Sequence, residues 1–467
     1  MKKFFALLLA LTLTGILPGV LQADTSTPKN PLYATALKNS TGAANKKLAN
    51  QYRQTLLNRF LNYVTYNSQS DYKKEITPDQ IETAQKLYKE ILSLGFKDAI
   101  LSEHHYIFVN IPSNLPWEAP ILGFSCHYDV TPDAKADNVQ AQTIKNYQGG
   151  PIVLPQPYDG ETQVIDPQTP TGAYLNTQIG KTIVTSDGST LLGADDKSGV
   201  AIIMTMLEAI AKNPSKKHGT IQVIIAPNED VGRAAEFVEE TPYRPEIAFD
   251  FDGETGGEVM IENFNARQVY FTVKGHPGHQ SQAATNGYHN AWTPACELGA
   301  QICTPELMPE KSTGRDGYAE LHHMEPVKGN TSVAQLDIRL RGYDTNEMDR
   351  WEQKADSIAN QVAKKFEVEI LRQTINNYNN VGECAHPQAL AVTQKAFEAA
   401  GVPMNAVSVR AGTTASMFVT KGLVGAYTIF TGQNNPHTPT EWLSEDDMFK
   451  AFVIGLNLVD EVAKIRK

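Results

Sequence analysis

Residues 191–200 read Leu-Leu-Gly-Ala-Asp-Asp-Lys-Ser-Gly-Val, and they decide how the rest of the chain is interpreted. Two adjacent carboxylates, Asp195 and Asp196, stand between a glycine turn and an apolar run whose spacing predicts a buried helix. Burying two acidic side chains at the N-terminus of a helix costs free energy unless a positive charge lies close to them. The helix dipole supplies part of that charge, and a metal ion would supply more. We therefore predict that Asp195 is a metal ligand; simple capping of the helix is the alternative.

On both sides of this stretch, short apolar strands alternate with helices. Strand 120–126 is apolar throughout, as in a strand buried on both faces of a parallel sheet. The sequence therefore predicts an α/β fold with a mainly parallel core sheet flanked by helices. Helices are predicted at 46–64, at 78–94 with Thr77 as N-cap, after Asp196, at 387–400 and at 445–464, and strands at 105–111, 120–126, 220–226, 246–251 and 425–430.

A different pattern begins at about residue 263, where half-solvated strands and helices follow in a β-α-β-β-α-β-like order. This order predicts a small α+β lid domain inserted at 263–376. The catalytic domain would then consist of 24–262 and 377–467. Within its first part, residues 131–186 are rich in Pro, Gly, Asp, Asn and Gln, which predicts a long irregular excursion with short strands.

The first 23 residues have the pattern of a secretory signal peptide. Two lysines precede an apolar run from Phe4 to about Leu17, and small residues lead to a polar stretch that begins at Asp24. The run is too short for a good membrane span. We predict cleavage after Ala23, a periplasmic or secreted protein, and no stable membrane association after cleavage; an uncleaved N-terminal anchor is the alternative.

Composition narrows the classes of partner and cofactor. The 467 residues carry a net charge of −11, which argues against a nucleic-acid partner held through phosphate groups. Four cysteines are too few for a disulfide framework in a chain of this length and lack zinc-finger spacing, so we predict that they are buried apolar residues. They are Cys126, Cys296, Cys303 and Cys384.

Residues that bind metals follow several of the predicted strands. In open α/β sheets, ligands bind just outside the carboxyl ends of the strands, so these residues are expected to meet Asp195 there. Each of them alone has a commoner explanation, such as a turn at Asp252 or a solvated loop at Glu229, and the joint pattern carries the prediction. In chain order they are His127, Asp129, Glu229, Asp230, Asp252 and His437.

Two histidines and three carboxylates suit two Zn²⁺ ions per chain, or another pair of divalent metals. Asp195 has the central position and would bridge the pair. Asp129 can accept a hydrogen bond from the second ring nitrogen of His127 and fix its tautomer. Glu229 is then not required as a ligand, so it can take the proton from a metal-bound water and pass it to a leaving amine. The predicted chemistry is hydrolysis of an amide bond.

These motifs occur in the order found in the di-zinc exopeptidases, a family that includes carboxypeptidase G and aminoacylase. Further stretches are similar to its peptidase T subgroup, the aminotripeptidases, and the resemblance runs from about residue 46 to the C-terminus. The matching stretches are His127–Asp129, Gly193–Gly199, Pro227–Gly232, Asp252–Gly253 and Thr431–His437, and for the subgroup Asn146–Gly150, Thr185–Asp196, Glu262–Ala266 and Val409–Thr413.

The resemblance implies a role for each matching residue. His127, Asp195 and Asp252 would hold one zinc ion, and Asp195, Asp230 and His437 the other. Glu229 takes the position of the general base and Asp129 that of the partner of His127, and the Asp195–Asp196 peptide bond is expected to be cis. The inserted segment would act as a lid, and the protein would be a monomer or a lid-mediated homodimer.

Substrate-binding residues are implied less directly. A lid histidine would contact the scissile carbonyl; His279 fits best, because it lies four residues after Gly275, and His276 is the rival. Arg341 and Arg410 resemble the positions that bind the substrate carboxylate. For Arg341, an ordinary exposed arginine is the alternative.

Three departures from the family pattern affect the expected function. Asp230 stands where the family usually has Glu, Thr414 stands where it has Asp, and the chain carries an export signal although peptidase T relatives are typically cytoplasmic. We expect an exported di-zinc aminopeptidase that acts on short peptides, tripeptides foremost. The alternatives are a di-zinc dipeptidase, an N-acyl amino acid hydrolase, and a peptide-binding relative that has lost catalysis.

Overall fold

The computed structural model describes residues 40–327 and 330–467. The predicted signal peptide at 1–23 lies outside the described residues. The helices are Ser40–Tyr63, Pro78–Ser93, Ala194–Lys212, Ala283–Asn286, Trp292–Ile302, Thr345–Phe366, Val381–Cys384, Ala389–Ala400, Thr414–Val419 and Glu445–Ala463. None of these described helices is both long and apolar enough to cross a membrane.

An eight-stranded mixed sheet forms the centre of the molecule. Its middle is parallel: Leu122–His127 lies between Ile221–Ala226 and Ile247–Gly253, and Ala426–Phe430 pairs with the latter in the same direction. The fold class predicted from the sequence is confirmed. From edge to edge the strands are Ile100–Leu101, Ile107–Ile111, Ile221–Ala226, Leu122–His127, Ile247–Gly253, Ala426–Phe430, Glu258–Asn263 and Asn405–Val409.

Both faces of the central sheet are apolar, because successive residues of its strands point to opposite faces and are buried on each. Helices pack against these faces. In strand Ile221–Ala226, Val223 packs into the cluster formed with the long helices, whereas Ile224 packs with Phe108 and Phe418 on the other face. Every apolar residue from Val200 to Ile210 in helix Ala194–Lys212 is buried, as predicted. The second predicted helix begins at Pro78, and Thr77 and Gln80 form a reciprocal capping box at its N-terminus.

A separate four-stranded antiparallel sheet lies within the stretch predicted to form the lid domain. Its buried face, which includes Phe271, Leu336 and Ile338, packs against helices Trp292–Ile302 and Thr345–Phe366. The order along the chain is β-α-β-β-α-β, as expected, and the division into domains stays a prediction. Across this sheet the strands are Tyr318–Val327, Asn330–Gly342, Asn265–Lys274 and Glu369–Tyr378.

The irregular excursion at 131–186 contains the predicted short strands. Two of them join a third sheet with strands from the C-terminal part of the chain, and two form a hairpin. The third sheet runs Gln433–Asn434, Trp442–Ser444, Ile183–Thr185 and Gln142–Ile144, and the hairpin is Ile152–Tyr158 with Glu161–Ile165.

The expectation that all four cysteines are buried needs correction. Cys296 and Cys384 are exposed, whereas Cys126 and Cys303 are buried as predicted. Cys296 lies on helix Trp292–Ile302, which buries only the face toward its sheet, so a cysteine on the other face meets solvent. Strands Tyr318–Val327 and Asn405–Val409 were not predicted from the sequence. Both lie at the edge of a sheet, where strands are largely exposed and lack an apolar run.

Candidate active site

The predicted catalytic and metal-binding residues meet at the carboxyl ends of the parallel strands. His127 is the last residue of its strand, and Asp252 lies near the end of the neighbouring strand. Glu229 and Asp230 lie in the turn that follows Ile221–Ala226, and His437 comes from the loop after Ala426–Phe430. Parallel topology therefore brings residues from distant parts of the sequence to one edge of the sheet.

Asp195 lies between the two histidines. Its Oδ1 is 3.0 Å from Nε2 of His127, and its Oδ2 is 3.2 Å from Nε2 of His437. Each carboxylate oxygen therefore faces a different imidazole, as a bridging ligand requires. The peptide bond between Asp195 and Asp196 is cis, as the resemblance implied.

Further carboxylates complete a cluster around each histidine. Oδ1 of Asp252 lies 3.6 Å and Oε2 of Glu229 lies 3.9 Å from Nε2 of His127. On the other side, Oδ1 of Asp230 is 2.7 Å from Nε2 of His437. The aspartate at position 230 thus reaches His437 despite being one methylene shorter than the usual glutamate.

The electrostatics of this cluster favour a cation. Burial raises the pKa of Asp230 and of Asp252 to about 7, and the charge of Asp195 adds to the shift in both. Burial also raises the pKa of Glu229 well above its usual value. In contrast, hydrogen bonds from His127 and His437 outweigh burial and lower the pKa of Asp195. Buried acids crowded in this way are stabilised when a divalent ion lies among them.

The donor set fits two metal ions. His127, Asp195 and Asp252 each offer a ligand atom within 4.8 Å of the others, and so do Asp195, Asp230 and His437. These are the two ligand sets implied by the resemblance, and they share Asp195; a third group, His127, Glu229 and Asp230, is also close enough to hold an ion. One oxygen of Asp230, Oδ2, is buried without a hydrogen-bond partner among the described residues, which leaves it free to bind a metal. Imidazole and carboxylate ligands together suit zinc and related divalent ions.

Asp129 has more contacts than the sequence indicated. Its Oδ1 lies 3.4 Å from Nδ1 of His127, but this nitrogen makes no hydrogen bond among the described residues, so the predicted hydrogen bond is not formed. The carboxylate accepts hydrogen bonds from the backbone N–H groups of Glu229 and Asp230, at 3.0 and 3.2 Å. Asp129 therefore holds the acidic turn beside the strand-end histidine.

Glu441 supports Asp195 and was missed by sequence reasoning. Its buried carboxylate accepts hydrogen bonds from the backbone N–H groups of Leu192, Gly193 and Asp195. Burial raises the pKa of Glu441 to about 7. The sequence carried little signal for this role, because Glu441 lies four residues beyond His437 in a loop with no recognisable pattern.

Asp196 and Gln433 are further supports. The carboxylate of Asp196 is completely buried and accepts the backbone N–H groups of His127 and Gly199, so it ties the strand end to the helix start. The side-chain amide of Gln433 donates to Oδ1 of Asp252 at 3.2 Å. Asp196 thus differs from Asp195: it contacts backbone groups, whereas Asp195 faces the histidines.

The residues predicted to bind substrate lie away from this cluster. His279 is exposed, and its ring nitrogen is 2.8 Å from the hydroxyl of Ser281. His276 pairs through its backbone with His289. None of His279, His276, Arg341 and Arg410 is among the described residues that line the cavity at the cluster. Their roles stay predictions.

The two arginines have other partners. Arg341 is buried, not exposed, because its guanidinium donates to the carbonyl oxygens of Arg267 and Leu340 and lies over the ring of Tyr378. Arg410 donates to Ser312 and to the carbonyl oxygen of Gly314. Arg410 therefore contacts the loop that precedes strand Tyr318–Val327.

Comparison with known proteins now identifies the family. The sequence pattern of peptidase family M20/M25/M40 matches residues 187–461. The chain belongs to peptidase family M20/M25/M40. Within this family its relatives include Peptidase T of Staphylococcus saprophyticus, 32% identical over 422 residues that cover 88% of this chain and 98% of the relative. Peptidase T of Pectobacterium carotovorum is 33% identical over 87% of this chain and 98% of the relative.

Solved structures of the M20 family share the fold. Aminopeptidase PepT from Bacillus cereus has a TM-score of 0.66 at 18% identity, over 88% of this chain and 99% of that one. A tripeptidase from Staphylococcus aureus has a TM-score of 0.63 at 18% identity, with the same coverage. A dinuclear metal-binding M20 peptidase from Bacillus subtilis has a TM-score of 0.56 at 11% identity, over 88% and 98%. The protein is a metal-dependent peptidase of the M20 family and resembles its peptidase T members.

Proposed function

We propose that this chain is an exported di-zinc aminopeptidase that hydrolyses the N-terminal peptide bond of short peptides, tripeptides foremost. The observation that carries the proposal is the arrangement around Asp195. Its two oxygens face two imidazoles, a further aspartate accompanies each imidazole, and Oε2 of Glu229 lies 3.9 Å from Nε2 of His127.

Two divalent ions held by these residues would polarise the scissile carbonyl and make water a better nucleophile. The residues of the chain supply the rest. Glu229 lines the same cavity as the ligands and accepts the proton that the attacking water loses, then returns it to the leaving amine. Asp129 keeps Glu229 in position through the backbone N–H of that residue, and its carboxylate lies 3.4 Å from Nδ1 of His127.

Zinc and tripeptides are the finer parts of the proposal. The mixture of imidazole and carboxylate ligands suits zinc. Support for tripeptides comes from the Peptidase T relatives and from the tripeptidase that shares the fold. The cavity at the ligands has a volume of about 330 Å³, which is at the lower end of small-ligand sites and suits a short peptide.

The decisive experiment combines metal analysis with product analysis. Purified protein is stripped of metal, reloaded with zinc, and given trialanine, dialanine and N-acetylalanine. We expect alanine and dialanine from the tripeptide, only from metal-loaded protein. Preferred hydrolysis of dialanine or of N-acetylalanine would instead support a dipeptidase or an N-acyl amino acid hydrolase, and cleavage by metal-free protein would overturn the metal mechanism.

A variant of the proposed base separates catalysis from binding. Glu229→Gln preserves size and should keep both metals, while kcat falls by roughly 10²- to 10⁴-fold, the usual contribution of a general base. If this variant binds metal normally and turns over at the wild-type rate, Glu229 is not the base. Wild-type protein that binds zinc and peptide yet cleaves none of the three compounds would be a peptide-binding relative.

Export is proposed from the sequence of residues 1–23. The test is to express the full chain in a Gram-negative host and separate periplasm from cytoplasm. We expect periplasmic protein whose N-terminus is Asp24, and full-length protein in the cytoplasm would contradict export.

Light scattering on the same preparation distinguishes a monomer from the homodimer that we propose would form through 263–376.

A further inference from the structure

The loop 64–77 joins the first two helices and lies against three segments that carry proposed site residues. The carbonyl oxygen of Tyr66 accepts a hydrogen bond of 2.6 Å from Nζ of Lys197, just after the proposed bridging aspartate. The backbone N–H group of Ser70 donates at 3.0 Å to the carbonyl oxygen of Val130, in the segment that follows the strand-end histidine. No residue of this loop is among the described residues that line the cavity at the metal-binding cluster. Any effect of the loop on catalysis therefore passes through the residues that it contacts.

The third contact leads to the turn 228–233, which carries the proposed base. Gln80 lies in the first turn of the helix that follows the loop, and it is completely buried. Its Nε2 donates to Oδ1 of Asn228 at 2.9 Å, and its Oε1 accepts the backbone N–H group of Thr77 at 2.9 Å. Nδ2 of Asn228 in turn donates to the carbonyl oxygen of Glu75. Each side-chain amide thus has a partner for its oxygen and for its nitrogen, which fixes its orientation.

Asn228 directly precedes the proposed base, so its side chain can fix the backbone that leads to Glu229. Asn228 is 5% exposed and has a backbone φ of +60°, a conformation that asparagine tolerates better than most residues. The carbonyl oxygen of Asn228 accepts the N–H group of Arg233 at 2.8 Å. The carbonyl oxygen of Glu229 accepts the N–H group of Gly232 at 2.6 Å. Because the turn is this tight, a movement of Asn228 moves the whole turn.

Arg233 holds the other end of the turn to the same loop. Its Nη2 donates to the carbonyl oxygens of Asp71, at 3.1 Å, and of Lys74. The carboxylate of Glu229 itself accepts no hydrogen bond from the described residues, since Nε2 of His127 is 3.9 Å away. The position of this carboxylate therefore follows from its backbone, which these contacts hold in place.

We propose that Gln80 and Asn228 are positioning residues for Glu229, and that the hydrogen bond between their side chains aligns its carboxylate for proton transfer. This inference rests on the proposed function, in which Glu229 is the general base. A base must lie within hydrogen-bond reach of the proton that it takes, and a displacement of about 1 Å can lower the rate about 100-fold. Binding of the peptide in the cavity depends on this distance much less.

The experiment is a double-mutant cycle on trialanine hydrolysis. Gln80→Met keeps the length of the side chain and removes the hydrogen bond to Asn228. Asn228→Gly removes the other partner, and glycine adopts a φ of +60° readily, so backbone strain does not account for the result. Each variant should lower kcat by about 10- to 100-fold and change KM by less than about 3-fold. The combination should be no slower than Asn228→Gly alone, since both substitutions remove the same contact.

A matched control separates positioning from a general loss of stability. Thr83 lies on the same helix as Gln80, is 3% exposed, and donates its hydroxyl to the carbonyl oxygen of Asn67 at 2.8 Å. Thr83→Val therefore breaks one hydrogen bond between this helix and the loop 64–77 that does not involve the turn 228–233. It should lower the urea midpoint of unfolding much as Gln80→Met does and keep the wild-type kcat. Metal content, measured in every variant, should be equal.

Three outcomes would overturn the inference: a wild-type kcat in Gln80→Met or Asn228→Gly, effects of these two substitutions that multiply, or a kcat in Thr83→Val as low as in Gln80→Met. Should Gln80→Met fail to fold, Gln80→Glu takes its place, because it keeps an acceptor for the N–H group of Thr77 and loses the donor to Asn228.

Failure here is distinguishable from failure of the proposed function. If zinc-loaded wild-type protein does not cleave trialanine, the proposed function fails. If it cleaves trialanine and Glu229→Gln does so at the wild-type rate, the assignment of the base fails. If Glu229→Gln is impaired while Gln80→Met and Asn228→Gly keep the wild-type kcat, only the positioning role fails.

Discussion

The two halves of the proposed metal centre are built from different kinds of structure. His127 ends a strand in the middle of the sheet and its side chain is fully buried. His437 lies in a loop, has a backbone φ of +62°, and has a side chain that is 41% exposed. The difference indicates that one half is fixed by the core and the other by local loop contacts, with Asp195 joining them.

The two halves also hold their acids differently. Asp252 is part of a strand, at the irregularity between the pairs Phe251–Ile429 and Gly253–Phe430, so the sheet holds the backbone on both sides of it. Asp230 lies in a turn whose backbone is held by the carboxylate of Asp129. A core-fixed half should bind its metal tightly and contribute to folding, whereas the loop half should depend more on its supporting hydrogen bonds.

The largest effect is expected at the residue that the halves share. Asp195→Ala should empty both metal sites and lower kcat/KM by at least about 10³-fold, because it removes a ligand from each set. Metal analysis and trialanine hydrolysis measure this outcome. Asp196→Asn is the matched control: it should keep both metals and lose about 1–2 kcal/mol of unfolding free energy, since the carboxylate contacts only backbone N–H groups. Metal retained by Asp195→Ala would show that this residue does not bridge the sites.

The comparison between the histidines can be tested directly in metal-free protein. His127→Ala should lower the free energy of unfolding by about 3 kcal/mol, because it opens a cavity and leaves buried carboxylates without their partner. His437→Ala should cost less than about 1 kcal/mol, since its contacts are partly solvated. Urea unfolding in the presence of chelator measures both. Equal losses would contradict the distinction between a core half and a loop half.

A smaller effect is expected at Glu441, whose carboxylate accepts a hydrogen bond from the backbone N–H group of Asp195. Glu441→Ala leaves three buried backbone N–H groups unpaired and should cost about 2 kcal/mol of unfolding free energy, with weaker binding of both metals. Glu441→Gln keeps one acceptor oxygen and should lose about half as much. Unchanged metal affinity in Glu441→Ala would show that Asp195 is held without it.

The smallest effect concerns the order in which metal leaves. Dilute chelator should remove one ion at least about 10-fold faster than the other, as expected when supporting contacts differ. In His437→Ala the fast phase should disappear while the slow phase keeps its rate. The time course of metal release, followed with a colorimetric indicator, measures this. A single phase in the wild type would mean that the two halves bind metal equally well.

The sequence predicted the parts of the molecule that follow from periodicity. Helix Glu445–Ala463 ends within one residue of its predicted bound, and the buried strands begin and end within two residues of expectation. Among the site residues, His127, Asp195, Glu229, Asp230, Asp252 and His437 lie together, because strand ends can be recognised and parallel sheets align them.

The rest depends on contacts that leave no local pattern. Glu441 accepts N–H groups about 250 residues earlier in the chain, a pairing that neither helical nor strand periodicity encodes. The burial of Arg341 has the same origin, since its partners are backbone carbonyl oxygens of two neighbouring strands.

Gly199 has a consequence for how this chain can vary. A Cβ atom at this position would overlap the carbonyl oxygen of Phe251 and the carboxylate of Asp196. Any other residue would push the helix away from the sheet and carry Asp195 with it, since Asp195 lies near the start of that helix. Position 199 is therefore closed to substitution in an active enzyme although it contacts neither metal nor peptide, and a survey of natural or laboratory variants should find it invariant wherever activity survives.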